Sequence, residues 1–199
     1  MTKTQRGRPK LQDQIQKRDI LQAALDILDR KGAAGLSLRG LAASLDITPM
    51  ALYHHVADRS ALLRELSDWV YAGVLRDCDP HPDKARERIE GLLIAYHKAV
   101  LQHPNLTLAI FADPLAFSGE AERITQAIRD CLAASKLEAS ARESWLVCLV
   151  DFTHGSSIAI AMNCHAQMHD HEVLEKACRD YESSLKAVLN CVFASCSQA

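Results

Sequence analysis

The stretch LSLRGLAASLDITPMALYHHV, residues 36–56, gathers hydroxyls, imidazoles, a phenol and a guanidinium around two short apolar patterns. Side chains of these types suit hydrogen bonding to base edges and phosphate oxygens rather than bond making. Thr48, Pro49, Met50, Tyr53 and His54 face outward on the second pattern, while Ala51, Leu52 and Val56 hold it to its neighbours. Thr48 offers a hydrogen bond to a base or a phosphate, Pro49 and Met50 an apolar contact to a thymine methyl. Tyr53 and His54 reach for phosphates, with Arg39 and Arg59 adding positive charge on either side. A second cluster, Cys164, His165, His169 and His171, sets His165 and His169 one helical turn apart, as on a metal-binding face. Its simpler reading is a polar, solvated helix end. No phosphate loop, nucleophile elbow or catalytic Cys–His spacing is found, and no cofactor motif, which speaks against the alternative class, a small cytosolic helical enzyme.

The elements that must position these residues read as all-α. Glycine and proline are sparse, and apolar residues recur at three- and four-residue steps. A first helix is expected at 16–30, closed by Lys31 and Gly32. Ser37 caps a helix to Leu45, Thr48 caps a very short one with Pro49 at its first position, and Asp58 caps a longer one to about residue 75. Later helices are expected at 83–102, 104–112, 119–135, 140–168 and 171–194, the fourth of them opened by a capping box at Ser140. In the last, Leu174, Cys178, Tyr181, Leu185, Val188 and Val192 make a coiled-coil-like seam, read as a face for a second copy. A short capped helix of this kind makes a poor core element. It is suited to a major groove, and paired copies would meet grooves about 34–36 Å apart.

Charge is uneven. Residues 1–64 hold eleven Lys and Arg against six Asp and Glu, whereas 65–199 hold twelve against nineteen. A basic head on an acidic body suits a partner that is double-stranded DNA. The seven cysteines show no pairing pattern and sit mostly in apolar stretches, which suits a reducing compartment. No signal-like apolar segment follows Met1, and no uninterrupted apolar run approaches a membrane span. A cytoplasmic protein with no membrane partner is expected.

Residues 19–66 resemble the N-terminal domain of TetR-family regulators. The resemblance rests on Gly32, Ser37, Arg39, Leu41 and Ala42, the LYHH run at 52–55, Asp58, Arg59, Leu62 and Leu63, in that order and spacing. The wording TPMALYHHV is similar to the tetracycline-repressor branch. The resemblance implies DNA contacts from Arg39, Thr48, Pro49, Met50, Tyr53, His54, His55 and Arg59. Leu38 stands where a hydroxylic residue is common, and Arg59 replaces the usual Lys. It further implies a helix-turn-helix domain at 16–76 and a helical ligand-binding and dimerisation domain at 77–199. The last two long helices would form a four-helix bundle in a homodimer on a palindromic operator. The arm at 1–15 carries RGRPK at 6–10, which resembles an AT-hook core for a narrow minor groove.

A small-molecule effector would sit in an apolar cavity between the boundary and the long helix, with Tyr96, His97, Phe111, Phe117, Trp145, Cys148 and Phe152 as candidates. Its binding is expected to shift the fourth helix and respace the two heads. Repression is the expected outcome, since occupying a promoter needs no contact with polymerase. Metal or thiol sensing on the same fold is the alternative.

Overall fold

The computed structural model describes residues 15–76, 84–117, 119–163 and 171–194. The basic arm, and the Cys164, His165 and His169 part of the metal-like cluster, lie outside them, as does the side chain of His171. The described residues form nine α-helices and one short 3-10 turn, with no strand. These are α1 (Lys17–Gly35), α2 (Leu38–Ser44), α3 (Pro49–Tyr53), α4 (Arg59–Tyr71), α5 (Ala85–Gln102), α6 (Pro104–Phe111), a 3-10 turn (Pro114–Ala116), α7 (Glu120–Ala134), α8 (Ala139–Asn163) and α9 (His171–Ala194).

Local chemistry explains the first four. Gly32 takes φ 67°, a conformation that favours glycine, so regular α1 ends there and the last residues turn away. Ser37 Oγ accepts from the Gly40 N–H at 3.1 Å and Thr48 Oγ1 from the Ala51 N–H at 3.2 Å. Asp58 Oδ1 accepts from the Ala61 N–H at 2.7 Å. Each side chain satisfies an amide that the first turn leaves unpaired. The turn between α2 and α3 passes through Asp46 at φ 53°, where a short polar side chain is tolerated.

One apolar core joins α1–α4 to the helices that follow. α5 runs through its middle, packed by α6, α7, α8 and α9. Its inward face, with Ile89, Leu92, Leu93, Tyr96, His97 and Val100, is buried. α8 starts at Ala139, so Ser140 lies inside the first turn and is not the expected cap. Leu137 is buried just before it and accepts a 3.1 Å bond from Arg142, which begins the turn early. By length and composition α8 is also apolar enough to cross a bilayer, which a search for unbroken apolar runs overlooks because Asp151 and His154 interrupt it. Here it packs against α5, α6, α7 and α9.

Half of the α9 seam is turned inward, whereas Leu174, Cys178 and Val188 are half-buried. Tyr181, Leu185 and Val192 are buried within this one chain, together with Leu189. The Tyr181 hydroxyl donates to the Leu93 carbonyl at 3.3 Å, and its ring stacks on His97 with centroids 3.7 Å apart. Regular three-four spacing marks a buried stripe, but it does not say whether the partner helix belongs to the same chain. Here the partners are α5 and α8.

Candidate DNA interface and effector cavity

α3 is held from beneath and open above. Leu52 and Val56 are buried, whereas Met50 and Tyr53 are 67% and 48% exposed. Thr48, Pro49 and His54 are exposed beside them, and His55 is half-buried. The C-terminal end of α3 is tied down by Lys17, whose Nζ donates to the His55 carbonyl at 2.7 Å and pairs with Glu65 at 2.6 Å. Arg39 is exposed on α2. Helix α3 therefore presents a row of donors and apolar contacts to solvent, on a short rigid mount.

Arg59 is placed differently from the others. Its guanidinium donates to the Ala33 carbonyl at 3.1 Å and to the Leu36 carbonyl at 3.4 Å, and lies 4.0 Å from Asp113. A planar fork with several fixed donors suits bracing open carbonyls, which Lys does less well. The side chain expected to meet phosphate is thus engaged in joining the end of α1 to the loop after α6.

A cavity of about 250 Å³ lies among α4, α5, α6, α7 and α8. Tyr96, Phe111 and Phe117 line it, as the sequence suggested. Ile110, Ala121, Ile124, Ile128 and Val150 complete the apolar wall, and Tyr71, Thr107, His154 and Asp151 supply polar atoms, with Thr125, whose hydroxyl donates to the Ala121 carbonyl at 3.0 Å. The Tyr96 hydroxyl and His154 Nε2 are 2.8 Å apart, and the Tyr71 hydroxyl and Thr107 Oγ1 also 2.8 Å. Tyr71 and Tyr96 meet edge to face with centroids 5.3 Å apart, and Phe111 meets His154 at 4.7 Å. Burial pushes Tyr71 up to about 12 against the opposing Thr107 bond, and raises Tyr96 well above its usual value. Burial also lowers His154 to about 4, although Asp151 nearby favours the charged form. At neutral pH both tyrosines and His154 are uncharged.

His97, Trp145, Cys148 and Phe152 do not line this cavity. His97 turns toward α8 and α9, its Nε2 3.3 Å from Ser156 Oγ, and burial lowers it to about 4. Phe152 stacks near Tyr181 with centroids 5.6 Å apart, and Cys148 faces solvent. On α8 the chosen residues sit at 145, 148 and 152, while the cavity takes 150, 151 and 154. Two residues of offset rotate a side chain by about 200° around a helix, which is the opposite face. The signal available for His154 and Asp151 was their register with Val150.

Four polar contacts join one face of α4 to the segment that walls the cavity. Ser60 donates to Asp113 at 2.6 Å, Arg64 to the Leu115 carbonyl at 2.7 Å, and the Glu120 N–H to Asp68 at 2.7 Å, with Tyr71–Thr107 the fourth. Gly119, at φ 65°, leaves room for the Asp68 carboxylate, which a Cβ there would overlap. Among the described residues no group of three His, Cys, Asp or Glu is placed to hold a metal. Burial raises the Cys178 thiol, which opposes thiolate formation.

Residues 20–66 match the model of the family described as bacterial regulatory proteins, tetR family. The chain is similar to the tetracycline repressor protein class E of Escherichia coli, 33% identical over 86 residues, covering 43% of this chain and 41% of that protein. It is also similar to the HTH-type transcriptional repressor KstR2 of Mycobacterium tuberculosis, 28% identical over 99 residues and 48% of each chain. The matches thus span less than half the length of these relatives. In fold it is similar to Mycobacterium smegmatis BioQ, with TM-score 0.72 and 24% identity over 91% of this chain and 99% of that one. A structure of BioQ with its double-stranded DNA operator gives TM-score 0.67 and 24% identity over 90% and 99%. The match in sequence is thus to the tetR family's model over residues 20–66, and the match over the whole helical frame is one of fold.

Proposed function

We propose that the chain is a transcriptional repressor that binds double-stranded operator DNA through α3 and leaves it when a small molecule fills the cavity. The observation that carries this reading is the open row Thr48, Pro49, Met50, Tyr53 and His54 on a helix whose other face is buried. Arg39 and His55 complete the proposed contact set, and Arg59 supports it by bracing the head. The DNA-binding domain is residues 16–76 and the ligand-binding and dimerisation domain 77–199, with the arm at 1–15 adding phosphate or minor-groove attraction. Two heads on a palindromic site require a homodimer. With Tyr181, Leu185 and Val192 of the α9 seam buried in their own chain, its contact face is the outer side of α8, where Val147 and Met162 are exposed, with the half-buried Leu174, Cys178 and Val188 of α9. A DNA partner implies the cytoplasm.

Effector release follows from the α4 contacts. Phe111 and Phe117 wall the cavity on the same segment that holds Asp113 and Leu115. A molecule seated there moves the segment, and α4 with it, by as much as its affinity differs between the two arrangements. Selection of bound DNA from a random pool by the full chain tests the reading. One enriched inverted repeat, bound with steep salt dependence, is expected; equal, salt-insensitive retention of all sequences would turn the assignment toward the enzyme alternative.

A further inference from the structure

The cavity has a polar end and an apolar end, and its chemistry limits what enters. Resting on its assignment as the effector site, we propose that the effector is a small uncharged molecule of one or two rings bearing a hydroxyl group.

Size comes first. A dry apolar cavity of about 150 Å³ holds a single benzene ring, so the 250 Å³ here takes a one- or two-ring body and no more. Charge comes second. Among the described residues no Lys or Arg lines the cavity to balance an anion, and the one acidic side chain there, Asp151, offers an anion no favourable partner. Asp151 is exposed, so water screens whatever attraction it offers a cation. The deeper polar groups, Tyr71, Thr107, Tyr96 and His154, are neutral, and burying a charge among neutral groups is unfavourable.

Hydrogen-bond capacity comes third. The Tyr71–Thr107 pair holds two hydroxyl hydrogens and uses one between them, leaving a donor. The Tyr96 oxygen keeps an acceptor lone pair in either tautomer of His154. The two pairs adjoin through the Tyr71–Tyr96 ring contact. A ligand hydroxyl accepts from the first and donates to the second, which a carbonyl or an ether cannot do.

The test compares para-propylphenol, para-propylbenzoate, para-propylbenzylamine and propylbenzene on the full chain at neutral pH, by calorimetry and by release of DNA it has selected. The phenol should bind about tenfold tighter than the other three or better, the net weight of its two hydrogen bonds. Tyr96→Phe and, separately, the double variant Tyr71→Phe with Thr107→Val, which removes both hydroxyl hydrogens of the donor pair, should bring the phenol toward the propylbenzene affinity while helical circular dichroism is unchanged. Asp151→Asn should change the binding of either ion by no more than about twofold and leave the phenol as it was. Equal or tighter binding of either ion, a phenol preference that survives both variants, or no binding of any probe would overturn the proposal. Phenol binding by a chain that selects no DNA would sink the regulator reading alone, whereas DNA selection with preference for an ion would sink only the effector class.

Discussion

Ser60 and Asp113 share a 2.6 Å hydrogen bond that ties the first turn of α4 to the loop leaving α6. Asp113 also lies 4.0 Å from Arg59 and accepts from the Leu115 N–H at 3.2 Å. One carboxylate therefore links the base of the head, the start of α4 and the segment walling the cavity. Replacing it with alanine leaves a half-buried guanidinium and a hydroxyl short of a partner. Asp113→Ala is expected to lower stability by about 1–3 kcal/mol in urea denaturation. It should also raise the effector concentration needed for half-release of DNA, and an unchanged release curve would mean that the coupling runs elsewhere.

Tyr53→Ala and Arg39→Ala remove exposed side chains from the proposed DNA face. Each should weaken operator binding by about 1–3 kcal/mol, measured by fluorescence anisotropy at fixed salt, with thermal stability unchanged. Arg59→Ala separates bracing from contact. Its loss of DNA affinity should come with a lowered melting temperature, because two carbonyls lose their donor.

Leu185 and Met162 distinguish core from interface. Leu185→Ala should cost about 2–5 kcal/mol through the cavity it leaves, because the residue is fully buried within one chain. Met162 is 69% exposed on α8. Met162→Glu should leave the fold intact and shift the chain toward monomer in analytical ultracentrifugation. An unaltered dimer would move the interface off this end of α8.

His97 and His154 make stability depend on pH in one direction. Each protonates near 4 when folded against 6.5 when unfolded. Between those values the unfolded chain binds more protons, so acid favours unfolding. Above pH 6.5 the contribution is fully present, and it is lost as pH falls toward 4. In mid-window the two together give a slope of up to about 2.7 kcal/mol per pH unit. Denaturation of His154→Gln, which keeps a partner for Tyr96 and does not titrate, should show roughly half that slope.

The head was legible in the sequence almost residue by residue. Ser37, Thr48, Asp58 and Gly32 act over three residues or fewer, so local spacing shows their roles. The cavity was legible only in part. Tyr96, Phe111 and Phe117 stand out as aromatics, but Tyr71 and Thr107 meet across α4 and α6, a pairing that no local pattern encodes. On α8, Phe152 stacks near Tyr181 of α9 and Cys148 faces solvent, whereas Val150, Asp151 and His154 turn to the cavity. The α9 stripe records burial but not its partner: Tyr181 is held by Leu93 and Thr153 in its own chain, while Leu174, Cys178 and Val188 stay half-buried. Arg59 was read by charge alone, and the carbonyls it braces are fixed by tertiary structure.

The four contacts along α4 make it a lever with unequal arms. From Ser60 to Tyr71 the helix rises about 16 Å at roughly 1.5 Å per residue. A tilt of about 5° pivoting on Tyr71–Thr107 displaces the Ser60 end by about 1.4 Å, enough to take a short hydrogen bond past its useful range. The pivot bond barely notices the same rotation. Small swellings near the fulcrum are thus felt most at the far tip, beside the groove-facing helix.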